Sequence, residues 1–243
     1  MNRVRAGIFS LTAAAPADDG YLRWHLLDHM PEQFQLPGIV HALRWIADGD
    51  YPAHRIAAHG PLGDIGNVVH YLAGEPVADT LADFVELGRV LRENGRMPTM
   101  RPLLQISGLR LLQWDSAPQA LVSAEVVPFR PHRGVLLILE EPAEPAGGRT
   151  DAWLGWLRAE HSPALLACAG VAGVWTFGSV CAPPPRGWRT DPHYVTVVYL
   201  DDDPLTVSGA LAPVVEQRWE SRVVRPLFAG PLRSMIRWDA WPA

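Results

Sequence analysis

Two histidines stand at matching places in two similar stretches of the chain. Each follows a carboxylate and precedes a proline by two residues: Asp28-His29-Met30-Pro31 and Glu160-His161-Ser162-Pro163. Histidine titrates at about pH 6.5, so either side chain can take or give a proton at cell pH, and a well-placed general acid or base contributes roughly 10²–10⁴-fold. The carboxylate beside each one is its neighbour in sequence. On a helix it points about 100° away, so it caps or pairs with an arginine rather than orienting the ring. The plain structural alternative is a histidine bonded to a carbonyl beyond the helix end, where the helix dipole favours it. A metal is the competing chemistry. His25-Leu26-Leu27-Asp28-His29 has the His-x-x-acid-His shape of some zinc peptidases, with a third ligand to come from His54, His59 or His70. The second stretch has Leu157 where the first has His25, which argues against it, and no metal is expected.

The elements that must carry these histidines are themselves repeated. Tyr21-Leu22-Arg23-Trp24, the His29 motif, Pro37-Gly38-Ile39 and Trp45 return 132 residues later as Trp153-Leu154-Gly155-Trp156, the His161 motif, Ala169-Gly170-Val171 and Phe177. Val69-His70-Tyr71-Leu72 matches Val197-Val198-Tyr199-Leu200 at an offset of 128, and Arg101-Pro102-Leu103-Leu104 matches Arg225-Pro226-Leu227-Phe228 at 124. A fixed order with drifting loop lengths predicts a duplicated module. Apolar runs at 4–12, 39–47, 67–73 and 103–114 predict strands, the last with a bulge at Ser107-Gly108. Helices are predicted from Asp18 or Asp19 to about Phe34 and from Pro76 to Asn94-Gly95. The second half repeats the order with strands at 135–139, 171–177, 194–200 and 227–238 and helices at 150–166 and 204–222. That order, βαββαβ, is the ferredoxin-like split βαβ unit, with two helices on one face of a four-stranded antiparallel sheet. Its bare face must be covered, and two copies in one chain can cover each other. The fold expected is α+β: two tandem ferredoxin-like modules, 1–118 and 134–243 with a linker at 119–133, forming a pseudo-two-fold α/β barrel. The long loops 48–66 and 182–193 lie at paired places where they could cover a site. Trp114-Asp115 and Trp238-Asp239 are read as turns, and Arg101 and Arg225 as ion-pair partners of the second helices.

Composition narrows the function classes. The 48% hydrophobic and 19% charged content suits a globular protein with a real core. A net charge of −5 gives no broad attraction for nucleic acid or anionic lipid. All 21 basic side chains are Arg, so Schiff-base chemistry through a Lys is excluded. Two Cys make no disulfide framework. Neither a signal peptide nor a membrane span is apparent, and a cytoplasmic location is expected. Gly-rich phosphate loops and the Gly-x-Ser-x-Gly elbow are absent.

The doubled pattern Tyr/Trp-x-x-Trp-x-x-x-Asp/Glu-His-x-Pro, followed by Pro/Ala-Gly-Ile/Val and an aromatic strand, resembles the EthD-like branch of the dimeric α/β barrel superfamily. The resemblance covers about 30 residues of each half and, through the element order, nearly the whole chain. It implies a ligand cavity between helices and sheet in each module, with His29 and His161 as the catalytic positions. Such relatives include cofactor-free isomerases, cyclases, dehydratases and decarboxylases, quinone-forming monooxygenases, and haem binders. The expectation is a cofactor-independent enzyme, lyase- or isomerase-like, moving a proton on a small hydrophobic carbonyl or aromatic, polyketide-like compound. Trp24, Trp156, Tyr71, Tyr199 and His41 would contact the substrate. The alternatives are a cofactor-free monooxygenase, or a non-catalytic protein binding a small molecule or haem. A monomeric pseudo-dimer or a homodimer is expected, with no nucleic-acid or membrane partner. The departures Ala169-Gly170 and Leu157 predict that one of the two sites is scaffold.

Overall fold

Each half of the chain builds a four-stranded antiparallel sheet with its helices on one face. The computed structural model describes residues 2–13, 19–97, 102–144, 147–180 and 193–235, with the backbone alone for Asp19 and residues 179–180. The first half comprises β1 (Ala6–Ala13), helix α1, β2 (Ile39–Ile46), the two-residue β3 (Ala57–Ala58), β4 (Ile65–Ala73), α2 (Val77–Glu93) and β5 (Leu104–Ser116). The second comprises β6 (Gly134–Pro142), helix α3, β7 (Val171–Val180), β8 (Tyr194–Leu200), α4 (Pro204–Glu220) and β9 (Val224–Ser234). Helix α1 runs continuously through Asp19–Trp24, a π-helical turn at His25–His29 and a last turn at Met30–Gln33. Helix α3 does the same through Gly148–Trp156, a π turn at Leu157–His161 and Ser162–Leu166.

The strands close into a barrel in the order β2-β4-β1-β5-β7-β8-β6-β9, with β9 returning to β2 and every pairing antiparallel. Closure removes the free sheet edges that a lone four-stranded unit would expose. It also buries both faces of the strands, which explains why β4 is buried throughout and shows no polar alternation. Phe9, Trp45, Leu72, Trp175, Phe177 and Phe228 fill the barrel. Ile8, Val69, Tyr71, Leu81 and Phe84 form the helix-to-sheet layer of the first half. Leu136, Leu165, Val198, Leu211 and Val215 form that of the second. The bulge expected at Ser107-Gly108 is present: the β1–β5 register shifts there, and Gly108 has φ +66°.

The remaining segments differ from expectation in places. The 48–66 stretch holds two 3₁₀ turns and β3, which pairs with Phe228 and Ala229 of the other half. Its counterpart at 182–193 lies outside the described residues except for His193. The connector after β5 packs Val127 into the barrel core, so it is part of the fold. Asp115 sits within β5 and accepts from Gln113 Nε2 at 2.5 Å, so no turn forms there. Arg225 pairs with Glu141 of β6 rather than with a helix, because the two residues face each other across the β6–β9 ladder. Arg101 and Trp238-Asp239 lie outside the described residues. No helix among those residues is long and apolar enough to cross a membrane.

Pro37-Gly38 places α1 against the start of α2. A Cβ on Gly38 would lie 1.7 Å from Thr80 Oγ1, and that hydroxyl is held by the Pro76 carbonyl at 2.9 Å. Gly38→Ala is expected to lower stability by roughly 1–3 kcal/mol, as overpacking of a tight contact does. An unchanged urea midpoint would show that the turn relaxes freely.

Candidate functional site

The π turns put the histidines where they are. In an ordinary α-helix the ring of Pro31 would press on the carbonyl four residues back, and its missing N–H would leave that carbonyl unbonded. The chain widens instead: Met30 N–H bonds the His25 carbonyl, and Ser162 N–H bonds the Leu157 carbonyl in the other half. Such bulges commonly mark functional sites. Here the turn directs His25 and His29 inward from one helical surface, leaving them 3% and 9% exposed.

A polar cluster forms around them in the first half's helix-to-sheet layer. The Tyr71 hydroxyl hydrogen-bonds His25 Nε2 at 3.2 Å, and the Gln33 amide lies 3.3 Å from His29 Nε2. Trp24 stacks on the His29 ring at 4.8 Å, and its indole N–H is held by the Arg96 carbonyl at 2.6 Å. The two histidine rings lie 5.5 Å apart. Arg44 projects from β2 beneath α1, donating to Asn67 Oδ1 at 2.8 Å and to the Leu22 carbonyl at 3.3 Å, with its guanidinium over Tyr21. Asn67 in turn donates to Thr12 at 2.5 Å. Several polar atoms of this cluster are buried without a partner: Nδ1 of both His25 and His29, Gln33 Oε1 and one terminal nitrogen of Arg44. Buried polar atoms are normally satisfied, so a convergent group of unpaired ones calls for a partner that the described residues do not supply.

Burial sets the electrostatics. His25 is pushed down to about 2 by desolvation, with the Arg44 and His29 charges adding to the effect. His29 is pushed down to about 4, again by desolvation, partly offset by Asp28 and Glu32. Both rings are therefore neutral at neutral pH. Tyr71 is pushed up by burial and stays a phenol. Asp28 does not orient His29; both of its oxygens meet Arg96 at 3.2 and 3.0 Å on the outer surface. Gln33 lets the imidazole hold its proton on either nitrogen, since its amide offers an N–H or a carbonyl to Nε2. Nδ1 is then free to accept a proton or to give one.

The second half fills the corresponding layer with its own charges. Arg218 and Glu140, 1% and 0% exposed, are joined through Nε–Oε1 at 3.0 Å and a second contact at 2.6 Å. Trp219 Nε1 donates to Glu140 at 2.9 Å, and Arg218 also reaches Thr196 at 3.1 Å. His161 has both nitrogens engaged, Nε2 with the Val214 carbonyl at 3.0 Å and Nδ1 near Arg218 at 3.5 Å. Desolvation and the Arg218 charge push it down to about 3. An imidazole tied to a carbonyl and set beside a cation is ill suited to ligate haem iron.

The structure therefore brings together His29, Trp24 and Tyr71 of the expected site residues, and joins His25 to them. Trp156 packs against His161 at 5.0 Å. Two expectations are corrected. Tyr199 points into the barrel against His132 and Trp45, fully buried and away from His161. The registers give the reason. Ile39 pairs with Ala73 and Val171 with Leu200, each followed by the same bulge, so Leu72 rather than Tyr71 is the counterpart of Tyr199. A one-residue slip along a strand changes the face. His41 sits against Phe129 on the barrel side of β2, because that bulge turns it away from the helices. Sequence reasoning missed Arg44, Asn67, Gln33, Arg218 and Glu140; the available signal was a charge inside each of two apolar strands, Arg44 in β2 and Glu140 in β6. Among the described residues no three His, Cys, Asp or Glu side chains converge as a metal-binding set. His70, proposed above as a third ligand, faces the barrel and stacks on Phe9.

No family model and no curated protein matches the chain. Solved structures do. An anthrone oxidase-like protein aligns with a TM-score of 0.61 at 10% identity, covering 97% of this chain and 92% of that one. A candidate monooxygenase from Fusobacterium nucleatum subsp. nucleatum aligns at 0.52 and 7% identity, covering 97% and 94%. A candidate chlorite dismutase aligns at 0.51 and 14% identity, covering 97% and 96%. These proteins share the ferredoxin-like, dimeric α/β barrel architecture, and this chain has that fold.

Proposed function

We propose that the protein is a cofactor-independent enzyme that moves a proton on a small, hydrophobic carbonyl or aromatic compound bound at the His25–His29 cluster. The observation carrying this reading is the pair of buried neutral imidazoles whose Nδ1 atoms have no partner. A neutral imidazole is in the form a base needs at neutral pH, and the substrate anion left by proton transfer would pair with the imidazolium and offset its desolvation. Tyr71 and Gln33 hold the two rings from behind through Nε2, and Trp24 offers an aromatic wall. Isomerisation, cyclisation, dehydration or another lyase reaction would follow from the resulting anion. We further propose that the halves are copies of one duplicated module, of the EthD-like branch. Their common strand order, matched bulges and paired π turns support this. The second copy would serve as scaffold, since its ion pair occupies the layer that the first copy keeps for substrate.

Reaction of the same substrate anion with O₂ is the second reading. It is favoured by the fold neighbours named anthrone oxidase-like and monooxygenase. Anthrone tests both. Its exchange of ring-methylene hydrogen for deuterium in D₂O reports proton abstraction, and an oxygen electrode reports oxidation. His29→Ala is expected to slow either process by roughly 10²–10⁴-fold, the usual contribution of a general base. His161→Ala should change it by less than about threefold, because both nitrogens of that ring are already engaged in the scaffold. Undiminished turnover in the folded double variant would end the proposal.

A further inference from the structure

Arg44 is a buried cation without an anion among the described residues. It is 7% exposed, its two hydrogen-bond acceptors are a neutral amide and a backbone carbonyl, and its remaining terminal nitrogen has no partner. No carboxylate among the described residues forms an ion pair with it. Buried charges are paired in folded proteins, because an isolated one is costly to desolvate.

The other half supplies a direct comparison. The register that equates Ala73 with Leu200 also equates Ala6 with Gly134, since these residues pair with them. Counting along uninterrupted ladders, Thr12 opposite Asn67 corresponds to Glu140 opposite Tyr194. In the second half that position carries a carboxylate, gripped by a guanidinium and an indole N–H beside the helix histidine. In the first half it carries a threonine hydroxyl, already used by Asn67. The guanidinium, the histidines and the aromatic walls are present there, and no carboxylate among the described residues meets them.

We infer that the first-half site selects a ligand bearing a carboxylate on a flat apolar body, and that Arg44 is the residue that receives it. This rests on the reading of that cluster as the substrate site, and names the class of substrate it takes. A carboxylate presents two oxygens to a guanidinium, and charge-assisted bonds of this kind are the strong ones. Glu140 fills the same role internally in the second half, which is why only one half would bind.

The test uses the intact protein with 2-naphthoate and its neutral isostere 2-naphthamide, titrated by calorimetry. Wild type is expected to bind the acid at least tenfold more tightly than the amide. Arg44→Met should remove that preference. Arg44→Lys, a milder change should the Met variant fold poorly, should reduce it at least threefold, since an ammonium lacks the planar fork. His29→Ala should keep it. Equal binding of acid and amide by wild type, binding of neither, or a preference that survives in Arg44→Met would each overturn the inference. Anthrone exchange lost in His29→Ala without any acid preference would leave the proton-transfer reading standing alone. Acid preference without exchange would do the reverse.

Discussion

Lowering the pH from 7.5 to 5 is expected to unfold the protein cooperatively. Five histidines are buried in a form that must stay neutral: burial pushes His25 down to about 2, His70 and His161 to about 3, and His29 and His132 to about 4. In the unfolded chain each titrates at about 6.5. The direction follows from those values. Above about pH 6.5 neither state binds the protons, and the full stability is present. As the pH falls below that, the unfolded chain takes up protons that the folded one refuses. Each site then costs about 2 kcal/mol of stability by pH 5, or about 10 kcal/mol for five, against about 5–15 kcal/mol holding a typical domain together. The midpoint should fall between about pH 5 and pH 6. The barrel histidines make the effect separable from the site. His132 accepts from Trp45 Nε1 at 2.9 Å and contacts the Arg130 carbonyl at 3.2 Å, so its neutral tautomer is fixed by two partners. Replacing it by Gln should flatten the slope of stability against pH by about 1.4 kcal/mol per unit. Urea unfolding at pH 7.5, 6.5 and 5.5 measures this. Equal free energies at 7.5 and 5.5 would mean that the folded protein accommodates the imidazolium ions.

The sequence carried the architecture because apolar periodicity and repetition act on every strand and helix at once. Strands predicted at 39–47 and 194–200 and the helix starting at Pro76 lie where the structure has them, to within a residue or two. The site was legible only in part. His29 and Trp24 were found through the repeated motif; five residues apart, they would lie about 140° apart on an ordinary α-helix, and the π turn at His25–His29 brings them together. Tyr71 was found through a motif match that also selected Tyr199, and the match ran one residue out of register. A helix tolerates such a slip with a rotation, whereas a strand sends the side chain to the opposite face. Arg44 was missed although it is a charge between Leu43 and Trp45, and which side of β2 faces the helices depends on the bulge beside His41. The Arg218–Glu140 pair joins residues 78 positions apart and depends on how α4 lies on the sheet. Pairwise chemistry of that kind has no local periodicity to betray it.

Glu140→Gln is expected to lower stability by about 3–5 kcal/mol, and Arg218→Met by a similar amount. Each single change leaves the other member charged in a layer with almost no solvent access, where Trp219 and Thr196 provide neutral partners only. Replacing both together, as Glu140→Leu with Arg218→Met, removes the two desolvation costs along with the attraction. The double variant should return to within about 2 kcal/mol of wild type, so the cycle should give a coupling of at least about 2 kcal/mol. Urea denaturation at pH 7.5 supplies all four corners. If the singles each cost less than about 1 kcal/mol, water reaches the pair and the second half is not sealed. The same four proteins bear on the asymmetry of the halves. The double variant removes the internal carboxylate and its guanidinium, leaving an apolar layer beside His161. Turnover and naphthoate binding should then be unchanged if chemistry resides at Arg44 and His29. A loss of either activity in a folded, restored double variant would place function in the half that carries His161.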